Sequence, residues 1–119
     1  MNTVEKSLDK IAENILFLKD PVNPELLERI EKLSGLAISM FESSVEALFK
    51  HDYNLAETVI EKLTQVHAVE KDAVLSSSHF QIDQVPNLRL LIESIRRTAE
   101  YATDISEVVL NLNVETVLA

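Results

Sequence analysis

An all-α fold, built as an antiparallel up-and-down helical bundle, follows from three features of this sequence. One glycine and three prolines in 119 residues, with few apolar runs that alternate at period two, leave little material for strands and hairpins. Apolar residues instead recur at steps of three and four over long stretches. Punctuation by Pro, Asn, Asp and Ser then cuts the chain into four helical segments with short links, and short links favour antiparallel neighbours. With 46% apolar content, a chain of this length is one domain with a core of its own and not a disordered segment.

The first segment, residues 3 to 19, carries Val4, Leu8, Ile11, Ile15 and Leu18 at helical spacing and stops at Asp20-Pro21, because proline disfavours helix in the residue before it. The second opens on Asn23-Pro24-Glu25: a capping side chain, a proline suited to the first helical position, and an acid at the positive end of the dipole. Its wide inner face runs from Leu26, Leu27, Ile30 and Leu33 through Leu36, Ala37, Met40 and Phe41 to Val45, Leu48 and Phe49. His51 stands where it can meet the last carbonyls. Gly35 lies inside this helix at a cost of about 1 kcal/mol relative to Ala, which predicts a close helix approach as compensation.

The third segment starts near Asn54-Leu55-Ala56-Glu57, read as a capping box with Asn54 as the cap. Its stripe is Leu55, Val59, Leu63, Val66, Val69 and Ala73, ending at the polar run Ser76-Ser77-Ser78. The fourth begins around Pro86 and places Leu88, Leu91, Ile95, Thr98, Ala102, Ile105, Val109 and Leu112 on a heptad seam with one polar interruption at Thr98.

Charge narrows the functional classes. Twenty acidic against 11 basic residues give a net charge of −9, which opposes the counterion release that drives nucleic-acid affinity, so direct DNA or RNA binding is not expected. Such a surface suits cations or basic protein patches. With no cysteine there are neither disulfides nor thiolate sites, and no long apolar run suggests a leader or a membrane span; a cytoplasmic protein without membrane insertion is the expectation. The single glycine removes any Gly-rich phosphate loop, no Glu-x-x-His element supports a di-iron oxidase, Ser39, Ser43 and Ser44 lie mid-helix without a nearby base, and the closeness in sequence of Ser76 to Ser78, His79 and Asp83 does not make the spatial geometry that a nucleophile and base need. Enzymatic activity is not expected.

The residues that carry chemistry lie in the fourth segment. Glu100, Asp104 and Glu107 recur at steps of four and three, so a helix sets all three carboxylates on one stripe. That stripe either faces water, at a cost of about 0.2–0.5 kcal/mol per like-charged pair, or faces something cationic. Arg89, Arg96 and Arg97 form a compact basic group beside it; Glu93, four residues before Arg97, points to a surface ion pair there.

The stretch NLRLLIESIRRTAEYATDISEVVLNL, residues 87 to 112, resembles the third helix of a PhoU domain, with Leu88-Arg89 near its start and a Glu-x-x-x-Asp element at Glu100 and Asp104. LERIEKLSGLAISMFESSVEALFKHDYNLAETVIEKL resembles the first two helices of the same repeat, with an Asp-x-x-Leu-Ala-Glu element at Asp52, Leu55, Ala56 and Glu57. The resemblance covers residues 24 to 112. It implies a three-helix domain over residues 21 to 119, one such repeat where family members typically hold two, preceded by residues 1 to 20 as a remnant of an earlier repeat or a dimerisation element. A homo-oligomer is expected on this reading.

The resemblance also implies a regulatory adaptor that restrains phosphate uptake by contacting a phosphate transporter and, in some organisms, its sensor kinase. Some family members hold metal clusters on such carboxylates, which makes Glu100 and Asp104 candidate ligands for a divalent metal or iron; Glu107 joins them by spacing. The second acidic pair of many relatives falls here on Leu63 and His67, so one ligand is apolar and the other an imidazole. The sequence therefore leaves three readings in order: the adaptor, a metal-ion-binding bundle using Glu100, Asp104, Glu107 and His67, and a structural oligomerisation domain.

Overall fold

The computed structural model describes Lys6 and residues 24–77 and 86–118. Among them every residue except His51 and Asp52 is helical. The expected first helix, residues 3 to 19, lies outside the described residues apart from Lys6, as does the cap Asn23. Three helices remain: α1 (Pro24–Lys50), α2 (Tyr53–Ser77) and α3 (Pro86–Leu118), each packed against both others.

The α1–α2 turn is set by two residues. His51 takes a left-handed backbone with φ of 54°, and the Asp52 N–H donates back to the Ala47 carbonyl at 3.0 Å, which ends α1 in a Schellman-type closure. The Asp52 side chain then caps α2: its Oδ1 accepts the Leu55 N–H at 3.0 Å, while its carbonyl accepts the Ala56 N–H at 3.1 Å. The cap is thus Asp52 and not Asn54, whose carbonyl receives the Thr58 hydroxyl one turn into the helix. Leu55 occupies the position where a capping box needs Glu or Gln, so the reciprocal arm does not form.

A main core and a smaller cluster near the α1–α2 turn fill the bundle. Leu26, Ile30, Leu33, Ala37 and Met40 of α1 meet Val59, Val66 and Ala73 of α2 and Leu88, Ile92, Ile95 and Ala99 of α3. Leu63 and Val69 pack on its edge, as the α2 stripe predicts. Towards the turn the core narrows to a small cluster of Ala47, Ala56 and Val109, and the buried Ser44 satisfies itself by donating to the Phe41 carbonyl at 2.7 Å. Phe49, expected on the inner face, is 79% exposed, because Ala47 holds the inward position at that end of α1.

The α3 seam is rotated from its expected position. Leu88, Ile95, Ala102 and Val109 are buried as anticipated, but the alternate positions are Ile92, Ala99 and Ser106 rather than the centre-line Leu91, Thr98 and Ile105. Leu91 is also buried at the edge of the seam, Thr98 and Ile105 are half-buried, and Leu112 is exposed. Small residues are the reason: Ala99 and Ser106 are fully buried and let α3 sit close to its neighbours, a preference that apolarity alone does not register. Gly35 has no such role. A Cβ built there meets nothing within 4 Å, and the residue opens onto a shallow groove between α1 and α2 beside Leu36, Gln65 and Ala68.

Candidate functional site

The acidic stripe lies where the helical spacing sets it. Glu100, Asp104 and Glu107 are all exposed on α3, on the side opposite or flanking the buried seam. Glu100 is not left to water alone: the Arg96 Nε stands 3.2 Å from its Oε1, one helical turn earlier, in a charge contact lacking hydrogen-bond alignment. The same guanidinium reaches across to Glu70 of α2 at 3.5 Å, and the Glu70 side chain is only 18% exposed. Arg96 therefore ties α2 to α3 and neutralises the first residue of the stripe. The sequence points to Glu93 with Arg97 as the ion pair of this basic group, but among the described residues it is Arg96 that is paired, with Glu100 four residues on and with Glu70, and the Glu70 half has no local signal.

A second cross-helix pair fastens α1 to α2. Arg29 Nε donates to Asp72 Oδ2 at 2.9 Å and its Nη1 lies 3.7 Å from Glu25. The hydrogen bond to Asp72, first, and the attraction of both carboxylates hold the Arg29 guanidinium above its ordinary pKa. Lys50 is raised likewise, chiefly by its 2.7 Å hydrogen bond to Glu46. Glu25, Glu28, Arg29, Lys32 and Asp72 make the mouth of the α1–α2 groove polar, while Arg89, Ile92, Glu93, Arg96, Glu70 and Val74 line a smaller one between α2 and α3.

His67 is exposed on α2, and Leu63, one turn before it, packs against the core. Among the described residues no group of three or more His, Asp or Glu side chains is placed to hold a metal ion. What the α3 face offers chemically is a row of solvated carboxylates, with Asp104 and Glu107 free of ion pairs among the described residues.

The geometry also accounts for the motif residues. Asp52 of the Asp-x-x-Leu-Ala-Glu element is the α2 cap, Ala56 is buried in the turn cluster, and Glu57 is exposed. The sequence model of the PhoU domain matches residues 30–109, which takes in most of all three helices. The chain belongs to the PhoU family. That family is regulatory and helical, and a general role in phosphate-transport regulation comes with membership. No curated protein and no solved structure matches the chain. No described helix is long and apolar enough to cross a membrane.

Proposed function

We propose that this PhoU-family chain is a cytoplasmic regulatory adaptor that modulates phosphate transport or phosphate signalling through contact with a phosphate transporter and its sensor kinase. The observation that carries the reading is the match over residues 30–109 together with an exposed carboxylate row on α3 in a chain of net charge −9. An acidic helix face recognises a basic patch on a folded partner, steering its approach and fixing its register; no bond need be made or broken. Capture of the transporter or the kinase by the intact chain, from extracts of the organism that encodes it, is the direct test. Glu107→Arg should weaken that capture in proportion to the charge reversed, and failure to retain either protein refutes the reading.

A second reading, a hard cation held on the stripe, draws on one observation: Asp104 and Glu107 share an exposed face and are unengaged by ion pairs among the described residues. Glu100 and His67 would complete the donor set, which requires Glu100 to leave Arg96. Metal analysis of the purified chain against a Glu100→Ala, Asp104→Ala variant decides it. Equal, substoichiometric metal in both samples removes this reading and leaves the adaptor standing.

A further inference from the structure

The groove between α1 and α2 changes character along its length. Near Pro24 its mouth is polar, with Glu25, Glu28 and Asp72 set against Arg29 and Lys32. Farther along α1 it turns apolar: Leu36 and Val69 are half-buried on its floor, and the exposed Gly35 and Ala68 form its rims. Lys32 and Val69 line both sections, so the two are continuous. Rims of glycine and alanine let another helix come close.

The chain supplies an occupant of the right length and pattern. Residues 3 to 19 precede α1 and carry Val4, Leu8, Ile11, Ile15 and Leu18 at helical spacing. A helix of that length is marginal in water by itself, and its apolar stripe needs a surface to lie on. Such a helix is about 25 Å long, and the four residues from Asp20 to Asn23 can span about 13 Å, enough to turn the chain back at the spacing of packed helices, about 8–10 Å.

We propose that residues 3 to 19 lie in the α1–α2 groove of their own chain as a further helix, antiparallel to α1. The order of residues along the segment matches the order along the groove. Lys19, next to the connection, falls at the mouth beside Glu25 and Glu28, Glu13 comes level with Lys32, and Ile11 and Leu8 reach the apolar section at Leu36 and Val69. Ser7 and Ala12, the small residues that flank the stripe, suit the close approach at Gly35 and Ala68. The reversed order, with the segment parallel to α1, needs a connection of about 25 Å, which four residues do not span. The inference uses neither the carboxylates of α3 nor a partner protein, and so stands or falls apart from the adaptor reading.

Because the chain has no cysteine, introduced pairs report position without interference. In the full chain, Ile11→Cys with Gly35→Cys should close a disulfide within one molecule under mild oxidation, about ten-fold or more faster than Ile11→Cys with Phe49→Cys, whose α1 site lies about 20 Å farther along the helix. Trypsin gives a second reading through Lys10, which lies inside the segment. Cleavage there should be about ten-fold or more faster in Ile11→Asp, Ile15→Asp than in the wild-type chain, with cleavage inside α1 to α3 unchanged. Equal cleavage at Lys10 in the two chains overturns the proposal, as does an Ile11–Gly35 pair that closes no faster than the control pair. Disulfides that form only between molecules overturn it too, by placing the segment on a second copy.

Discussion

Enlarging one residue of α3 separates the packed seam from the one that apolarity predicts. Ala99 is fully buried between the α1 and α2 contributions to the core, with Ile95 and Ala102 flanking it on its own helix. Ala99→Leu adds three carbons where the neighbouring atoms are already in contact, and overpacking of this kind costs about 1–3 kcal/mol. Thr98, next to it, is half-buried and spends its hydroxyl on the Ser94 carbonyl at 3.0 Å, a carbonyl already engaged in the helix. Thr98→Leu should therefore stay within about 0.5 kcal/mol of wild type. Urea unfolding followed by far-ultraviolet circular dichroism reads both: at a slope of about 1.5 kcal/mol per molar, a loss of 2 kcal/mol lowers the midpoint by about 1.3 M. A seam through Thr98 predicts the reverse, with Thr98→Leu stabilising and Ala99→Leu harmless, and that outcome refutes the packing described for α3.

Three further outcomes follow from the same contacts. Asp52→Ala should cost about 1 kcal/mol through loss of the α2 cap, whereas Asp52→Asn keeps the acceptor and should lose little; equal losses would deny the cap its role. Because a methyl at Gly35 meets open space, Gly35→Ala should gain about 0.5–1 kcal/mol in the same unfolding assay, and a loss would mean that the methyl meets a neighbour there. Arg96→Ala should destabilise by about 1–2 kcal/mol by leaving the largely buried Glu70 without its cation, and the penalty should shrink in a Glu70→Gln background; additive effects would show that the two residues do not interact.

Much of this fold was readable because its signals are local. Pro24 with Glu25 and the three-four apolar steps of α1 and α2 each belong to one helix, and the bundle assembled from them as periodicity requires. The α3 seam was misplaced by one position in alternate layers because Ala99 and Ser106 are chosen for their size, a property that only neighbours across the core reveal. The cap moved from Asn54 to Asp52 for a related reason: either residue has the right side chain, and the left-handed turn at His51 decides where α2 can begin. At the candidate site the exposed row of Glu100, Asp104 and Glu107 was legible as spacing. The Arg96–Glu70 and Arg29–Asp72 pairs were not, since each joins residues far apart in sequence on different helices.

Phosphate uptake in cells of the encoding organism, measured with and without the chain, is the most direct test of a regulatory role. Loss of the chain should derepress uptake, the wild-type chain should restore restraint, and Glu107→Arg, folded normally by circular dichroism, should restore it only in part. Uptake that is the same in all of these cells contradicts a regulatory role exerted through the acidic face of α3.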